Sequence, residues 1–289
     1  MKNILILGCN GMLGSQVVEK FKKLKNAKIH VTYRKDIFIN YKNVKFIKFD
    51  ATKPESLCKY KNNFHYVINC IGIIKPYIDE KNSDSVYNST VVNSILPYRL
   101  SKIFNKKKTK IYQIATDCVF SGKVGSYKES DKHDCVDVYG KTKSLGEIKT
   151  VNFYNIRCSI IGRELKNKLS LLEWFLKTPW KKKINGFSNH AWNGVTTNAF
   201  AEVIKTIIEK NIDVPKNFHL VPKNVVNKFD LLKILQKKYK RDDIKIVKIN
   251  SKEKINRTIA TIYKDINKKI WKHTLYKKIP TIKELIMDL

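Results

Sequence analysis

The feature that most constrains the fold is a glycine-rich turn near the N-terminus. An apolar segment at residues 3–7 runs into this turn, and a helical pattern follows at residues 13–24. Glycines at this spacing allow a tight turn, a close approach of backbone to a pyrophosphate, and close packing of helix on strand. The helix N-terminus then offers free N–H groups to phosphate oxygens. The predicted dinucleotide contacts are Gly8, Asn10, Gly11, Met12, Leu13 and Gly14.

Short apolar segments alternate with helical patterns through the first half of the chain. Strands buried on both faces form apolar runs, and their alternation with helices is typical of a parallel sheet covered on both sides. The sequence therefore predicts a doubly wound α/β fold of the Rossmann type. Strands are expected at 3–7, 29–33, 44–49, 66–70, 111–115 and 154–158, and helices at 13–24, 83–104 and 138–151.

After about residue 160 the alternation becomes less regular. We expect the dinucleotide-binding domain to cover residues 1–160, with 194–211 returning to it. Residues 161–193 and 212–289 would form a smaller C-terminal substrate-binding domain. Within this half, helices are expected at 169–176 and 198–209, a polar and aromatic loop at 185–197, and a strand at 244–249. Asn, His and Trp in that loop offer hydrogen bonds and a stacking face for a base or sugar.

The end of the second predicted strand bears on the choice of cofactor. An acidic residue there would accept from a ribose 2′-OH and select NAD, whereas Arg34 and Lys35 suit the 2′-phosphate of NADP. The alternative is two ordinary surface cations in a Lys-rich chain. We therefore expect NADPH, with NADH as the second choice.

Two further strand ends lie where an open α/β sheet binds its ligand. Asp50 and Ala51 follow the third strand, and Cys70 and Gly72 follow the fourth. Asp50 could accept from an adenine amino group, and Gly72 would let ribose and phosphate lie against the backbone. The alternative for these residues is simple strand termination.

Tyr139 and Lys143 are four residues apart in a predicted helix, so their side chains share one face. A nearby ammonium lowers the pKa of a phenol from about 10, and such a Tyr can protonate a ketone oxygen as hydride arrives. The same spacing recurs elsewhere in the chain, but Tyr139 alone opens a helix after the strand that ends at Thr116. The Thr116 hydroxyl can hydrogen-bond the same carbonyl.

Taken together, residues 8–14, 69–72, 115–120 and 139–147 resemble the dTDP-4-dehydrorhamnose reductase branch of the extended short-chain dehydrogenases/reductases. The resemblance is strong over residues 1–160 and weaker beyond. It implies that Thr116, Tyr139 and Lys143 form a catalytic set and that Asn93 is the structural and proton-relay Asn. It also implies reduction, with NADPH, of a UDP- or dTDP-linked 4-keto-6-deoxyhexose at C4 to give an NDP-L-rhamnose.

Cys118 departs from the reductase-only pattern, in which an aromatic residue usually follows the Thr-Asp pair. The bifunctional 3,5-epimerase/4-reductases, such as UDP-rhamnose and GDP-fucose synthases, look similar here and carry a cysteine. A thiolate can remove a proton alpha to a carbonyl, and positive surroundings would favour it. The resemblance thus implies that Cys118 is an epimerase base whose acid partner lies near Lys166 or Lys168. The alternative is a small buried thiol.

The chain is strongly basic, with 58 Lys and Arg and a net charge of +33. A nucleic-acid-associated protein is therefore one alternative, and a non-catalytic NADP-binding regulatory subunit is another. Lys is spread along the whole chain rather than concentrated in a stripe, so we expect no nucleic-acid partner. The six cysteines show no metal-binding spacing, and no apolar run is long enough for a signal peptide or a membrane span. The scattered cysteines lead us to expect a cytoplasmic protein. The resemblance implies a nucleotide-sugar substrate, and we also expect a homodimer.

Overall fold

The computed structural model describes residues 1–35, 41, 43–105, 109–166 and 168–289. Its strands, in chain order, are β1 (Lys2–Leu7), β2 (Ala27–Tyr33), β3 (Val44–Lys48), β4 (Tyr66–Asn69), β5 (Lys110–Ala115), β6 (Phe153–Arg157), β7 (Ile160–Ile161), β8 (Lys183–Phe187), β9 (His190–Trp192), β10 (Val195–Thr196), β11 (Asn217–His219), β12 (Val226–Asn227), β13 (Lys245–Ile249) and β14 (Ile255–Asn256). Its α-helices are α1 (Met12–Phe21), α2 (Ser83–Thr90), α3 (Leu96–Ile103), α4 (Val138–Leu145), α5 (Leu171–Lys177), α6 (Thr197–Glu209), α7 (Lys228–Tyr239), α8 (Lys264–His273) and α9 (Ile282–Met287).

A seven-stranded sheet forms the centre of the molecule, in the order β11-β6-β5-β4-β1-β2-β3. Every neighbouring pair in it is parallel. This arrangement confirms the predicted α/β Rossmann fold. The chain builds the sheet outward from β1 to β3 and then returns to add β4 on the other side of β1. A doubly wound sheet has its ligand crevice at this reversal, at the carboxyl ends of the strands.

The alternation of side chains along β1 explains why it is an uninterrupted apolar run. Ile4 and Ile6 lie in one buried cluster with α1, α6 and α8, whereas Leu5 and Leu7 lie in another with α3. Successive side chains of a strand point to opposite faces, so both faces of this strand need apolar residues. The strand is thereby held in the middle of the core, with its carboxyl end at the crevice.

A separate apolar cluster joins α5, α7, α9 and β8, and the 161–193 and 212–289 segments supply it. The expected loop at 185–197 is wrong, because these residues include the end of β8 and all of β9 and β10. The partners of β8 and β9 are β13, β12 and β14, which lie far along the chain. The separate cluster supports the predicted substrate-binding region. The boundary at 212–289 differs from the structure, because β11 is an edge strand of the central sheet and α8 packs in the core of that sheet.

Two predicted helices differ from the observed ones. The 83–104 segment is helical, but a π-helical turn at Val91–Ile95 separates α2 from α3. The helix expected at 138–151 already ends at Leu145. A Cβ on the next residue, Gly146, would lie 2.0 Å from the Asn93 carbonyl oxygen, so the close contact between α4 and the π-helical turn needs a glycine there.

No helix within the described ranges has the length and apolar character that a membrane span requires.

Candidate active site

A cavity of about 900 Å³ lies along the carboxyl ends of the central strands. This volume is in the range of pockets that bind cofactors and other small molecules. Its wall contains most of the residues that the sequence predicts for the cofactor and for catalysis. They are Asn10, Gly11, Met12, Leu13, Arg34, Ala51, Cys70, Gly72, Thr116, Cys118, Tyr139 and Lys143.

Gly8 and Gly14 do not line the cavity but shape the turn beneath it. Gly8 has a φ of +83°, which favours glycine, and its N–H donates to Thr32 Oγ1 at 2.9 Å. A Cβ on Gly14 would lie 1.9 Å from the Gly8 carbonyl oxygen. The two glycines therefore bring α1 against the end of β1. The helix N-terminus at Gly11 carries no side-chain cap, and Met12 and Leu13 lie at the cavity wall.

The two cations predicted to select NADP differ in position. Both side chains are exposed, but Arg34 lines the cavity and Lys35 does not. Asp50 is outside the cavity wall too. Its Oδ1 accepts hydrogen bonds from the N–H and the hydroxyl of Thr52, at 2.9 and 2.8 Å, which lower the pKa of Asp50. Asp50 thus organises the turn after β3, while Ala51 and Thr52 face the cavity.

Asn93 is buried in the π-helical turn and lies behind the residues that line the cavity. Its Oδ1 accepts from the Ile73 N–H, and its Nδ2 donates to the Ile73 carbonyl, both at 2.9 Å. The same Nδ2 donates to Thr142 Oγ1 at 3.2 Å. Asn93 therefore joins the segment after β4 to α4, and the cavity is bounded by Gly72 and Lys143 rather than by Asn93 itself.

The predicted catalytic set converges at one side of the cavity. Tyr139 and Lys143 come from α4, which Asp137 caps through the Gly140 N–H at 2.8 Å, and Thr116 follows β5. The Thr116 hydroxyl lies close enough to the Tyr139 phenol to lower its pKa. Lys143 is buried, its Nζ donates to the Ile114 carbonyl at 3.0 Å, and burial lowers its pKa to about 8.

The expectation that the pKa of Tyr139 lies below its usual value is wrong in this structure. Burial raises the pKa of Tyr139, and the neighbouring acidic groups Cys118 and Asp117 raise it further. The Thr116 hydroxyl opposes this increase only in part. The phenol is consequently neutral near pH 7, and the neutral phenol is the form that can donate a proton.

The expectation of a Cys118 thiolate is also wrong for the same physical reason. Burial, and after it the charge of Asp117, raises the pKa of the Cys118 thiol to about 12. Cys118 does line the cavity with Thr116, although β5 has ended and a short turn, Asp117–Val119, carries the thiol. The Cys118 N–H donates to Thr116 Oγ1 at 3.2 Å. Lys166 lies at the cavity wall, whereas Lys168 does not.

Sequence reasoning missed three charged residues at this site. Asp117 and Glu164 are buried and line the cavity, and Arg257 lies close enough to lower the pKa of Asp117. The Thr-Asp-Cys order next to the strand was a signal for Asp117. Glu164 accepts from the Leu169 N–H at 2.7 Å, and Arg257 Nε donates to the Phe120 carbonyl at 3.0 Å, contacts that no local pattern reveals.

A second cavity, of about 460 Å³, adjoins the first at Leu171. Of the expected substrate loop, Asn185 and Phe187 reach it, whereas Trp192 and Asn193 do not. Trp192 Nε1 instead donates to Ser159 Oγ at 2.8 Å, and Asn193 Nδ2 donates to the Ile259 carbonyl at 2.7 Å. Its wall is formed by Leu171, Trp174, Lys183, Ile184, Asn185, Phe187, Lys228 and Leu232.

In the part of the chain that the structure describes, no three His, Cys, Asp or Glu side chains are grouped so that they could hold a metal ion.

Comparisons with known proteins place this geometry in context. The family model described as RmlD substrate binding domain matches residues 1–289. A curated relative, the spore coat polysaccharide biosynthesis protein SpsK of Bacillus subtilis strain 168, is 26% identical over 148 residues, which cover 51% of this chain and 47% of that protein. The match to this relative therefore spans about half of its length.

Among solved structures, a dTDP-4-dehydrorhamnose reductase from Clostridium acetobutylicum has a TM-score of 0.73 at 20% identity, covering 99% of this chain and 97% of the other. The same enzyme from Bacillus anthracis, in complex with NADP, has a TM-score of 0.72 at 16% identity, with 99% and 98% covered. UDP-glucuronic acid 4-epimerase from Bacillus cereus, in complex with NAD, has a TM-score of 0.73 at 15% identity, with 99% and 94% covered. At these identities the likeness shows a shared fold.

Proposed function

This chain belongs to the RmlD substrate-binding domain family, and from that premise we propose that it is an NADPH-dependent reductase of a nucleotide-linked 4-keto-6-deoxyhexose. The observation that supports this most is the meeting of Thr116, Tyr139 and Lys143 in the cavity that also receives the glycine-rich turn. The predicted family resemblance is confirmed by the family match over the whole chain. The product would be an NDP-L-rhamnose.

The cavity fits a dinucleotide phosphate. The uncapped N-terminus of α1 faces it, and Gly72 leaves its backbone open beside Lys143 Nζ, which would be 3.9 Å from an added Cβ. Residues 10–13 would hold the pyrophosphate, Arg34 the 2′-phosphate, and Lys143 the ribose next to the nicotinamide. When bound, NADPH supplies the hydride that the C4 carbonyl of the sugar receives.

The side chains of this chain supply the proton and the orientation. Tyr139 is neutral and donates its proton to the C4 oxygen. Thr116 orients that oxygen through its hydroxyl, which lies in the same cavity wall as the phenol. Lys143 stabilises the tyrosinate that remains, because its ammonium lies on the same helix face four residues further on.

The second cavity supports a substrate with a nucleotide half. Trp174 and Phe187 offer faces for stacking, Asn185 offers an amide, and Lys183 and Lys228 are cations suited to a diphosphate. Because this cavity adjoins the catalytic one, a sugar beside Tyr139 could extend its nucleotide into it. UDP and dTDP both fit this description, so both are tested.

The function is tested with purified protein, NADPH, and either UDP- or dTDP-4-keto-6-deoxyglucose, by following NADPH absorbance and identifying the product sugar. We expect turnover with at least one of the two nucleotides. Tight NADP binding without turnover would support a non-catalytic regulatory subunit instead. Strong, salt-dependent retention on nucleic acid would support the nucleic-acid alternative. The predicted homodimer is measured on the same sample by sedimentation.

We predict that Arg34→Ala reduces the preference for NADPH over NADH by about tenfold or more. The guanidinium at the cavity wall would pair with the 2′-phosphate, and a lost charge-assisted contact of about 1.5–3 kcal/mol corresponds to that change. The ratio of kcat/KM for the two cofactors measures it. Lys35→Ala is the matched control, since Lys35 is an exposed neighbour outside the cavity wall. Equal kcat/KM values for both cofactors in the wild type would contradict the role of Arg34.

We also propose that reduction is coupled to epimerisation at C3 and C5, and that Cys118 carries it. The 4-keto group acidifies both protons, and the thiol lies in the same cavity wall as Thr116. Cys118→Ser is expected to abolish incorporation of solvent deuterium at C3 and C5 while still reducing a sugar that has already been epimerised. Mass spectrometry or NMR measures the exchange. Exchange at the wild-type rate in this variant would make Cys118 an ordinary thiol.

A further inference from the structure

Four side chains lie together at the edge of the catalytic cavity. Thr116 Oγ1 donates to Asp117 Oδ1 at 3.2 Å, and Thr116 lies close enough to the Tyr139 phenol to lower its pKa. Cys118 Sγ donates to the same Asp117 Oδ1 at 3.8 Å, a distance within the range for sulfur donors. One carboxylate oxygen therefore receives both the hydroxyl next to the phenol and the thiol.

Asp117 has the surroundings of a proton acceptor rather than of a member of an ion pair. It is 8% exposed and lines the cavity. No Lys, Arg or His among the described residues is within ion-pair distance of its carboxylate, although Arg257 and Lys228 lie near enough to interact with its charge. A buried carboxylate without an ion-pair partner holds a proton more readily than an exposed one.

Epimerisation needs a base, yet the Cys118 thiol is protonated near pH 7 in this structure. Burial has the largest effect on the pKa of this thiol, and the charges of Asp117, Arg257, Asp137 and Lys228 also act on it. An isolated thiol in this environment would rarely be a thiolate. A base within hydrogen-bond reach of the sulfur resolves this difficulty, and Asp117 is such a base.

We propose that Asp117 is the general base that takes the proton from the Cys118 thiol during epimerisation. This inference rests on the epimerase half of the proposed function. The S–H bond breaks and an O–H bond forms on Asp117. The thiolate then removes the proton from C3 or C5, so that a C–H bond breaks, an S–H bond forms, and the electron pair moves onto the 4-oxygen. That oxygen accepts a hydrogen bond from the Tyr139 hydroxyl.

The cycle closes with water as the second proton source. Water donates a proton to the opposite face of the ring carbon, and the hydroxide that results takes the proton held by Asp117. The thiol and the carboxylate return to their starting forms, and the substrate has changed only in configuration. Solvent deuterium therefore enters at each carbon that is inverted.

Asp117→Asn tests the proposal, because the amide keeps an oxygen acceptor for Thr116 and Cys118 but cannot take a proton. Deuterium exchange is measured in D₂O with the 4-keto sugar nucleotide and no NADPH. The rate of Cys118 alkylation by iodoacetamide is measured by mass spectrometry of its peptide. We expect exchange to fall by about 10²-fold or more. We expect alkylation to fall as well, because both reactions need the thiolate and the variant has lost the base that forms it.

Asp134→Asn is the matched control, since the exposed Asp134 carboxylate accepts from the Ser121 N–H at 2.7 Å and does not contact Cys118. This variant should match the wild type in both measurements. Exchange in Asp117→Asn at the wild-type rate or faster would show that the thiol acts alone. Loss of exchange with alkylation at the wild-type rate or faster would show that Asp117 does not form the thiolate. Either result overturns the proposal.

The outcome for the wild type separates this inference from the function on which it rests. Exchange in the wild type that survives in Asp117→Asn rejects the base and leaves the epimerase in place. Reduction without exchange in the wild type rejects the epimerase activity, and the proposed role of Asp117 as general base is rejected with it. Neither reduction nor exchange rejects the proposed function as a whole.

Discussion

Tyr139→Phe is expected to lower kcat for NADPH-dependent reduction by about 10²- to 10⁴-fold, the usual contribution of a general acid. The substitution removes only the hydroxyl that would protonate the C4 oxygen. The residues proposed to hold the cofactor, from the glycine turn to Arg34, are untouched. Binding of NADPH, measured by fluorescence titration, should therefore stay close to that of the wild type.

Tyr33→Phe is the control for this prediction. Tyr33 also lines the cavity, but it comes from β2, on the other side of β1 from the strand that precedes Thr116. Loss of its hydroxyl should change kcat little. Reduction by Tyr139→Phe at a rate near that of the wild type would reject Tyr139 as the acid. Equal losses in both variants would indicate a general disturbance of the cavity.

The pH dependence of kcat gives a second measure of the same assignment. Burial raises the pKa of Tyr139 and lowers that of Lys143 to about 8. As pH rises through about 8, Lys143 loses the ammonium that stabilises the tyrosinate, so reduction should slow there even though the phenol is still protonated. A group whose pKa is lowered by burial is charged only below that lowered value. The pH profile of kcat should therefore follow the titration of Lys143.

The sequence predicted those parts of the site that are determined by residues close together in the chain. The turn from Gly8 to Gly14 has to be glycine-rich because a Cβ on Gly14 would overlap the Gly8 carbonyl, and such a steric demand is visible in seven consecutive residues. The parallel sheet follows from apolar strands with both faces buried, as in β1. Tyr139 and Lys143 share a helix face by spacing alone.

The parts that it did not predict depend on the surroundings that tertiary packing creates. The pKa directions of Tyr139 and Cys118 were reversed because spacing and charge sign are visible in a sequence, whereas the burial that dominates both is not. Arg257 reaches the Asp117 region from a segment far along the chain. Strand β9 was missed because its partners, β12 and β14, also lie far along the chain from it.

Beneath α4, Arg157 is fully buried at the centre of a charged network. Its Nε donates to Glu147 Oε1 at 3.1 Å, and a second nitrogen bonds the other oxygen of Glu147. The other hydrogen bonds of its guanidinium are with His219 Nε2 and, at 3.0 Å, with His133 Nε2. Nε2 of each histidine must therefore be unprotonated, so that it can accept a hydrogen bond from the guanidinium. The ring proton of each neutral histidine is then on Nδ1. Nδ1 of His219 accordingly donates to the Ala260 carbonyl at 2.7 Å.

Arg157→Met is expected to lower the free energy of unfolding by about 3–5 kcal/mol, because it leaves the Glu147 carboxylate buried without its partner. For a chain of this size that corresponds to a fall in Tm of roughly 10 °C. Arg99→Met is the matched control, since Arg99 and Glu55 form an ion pair at 2.6 Å with side chains 49% and 56% exposed. Its loss should cost less than about 1 kcal/mol. Thermal unfolding followed by circular dichroism measures both.

The same network predicts how stability depends on pH. Burial, and then the charge of Arg157, lowers the pKa of His219 from 6.5 to about 4, and burial also lowers that of His133. Above pH 6.5 both histidines are neutral whether the chain is folded or unfolded. Between pH 6.5 and about 4, the two histidines bind protons in the unfolded chain but not in the folded chain. The folded state therefore loses stability as pH falls. We expect Tm to fall across this window in the wild type. The fall should be smaller in Arg157→Met, where no guanidinium opposes protonation, and an equal slope in the two proteins would contradict the network.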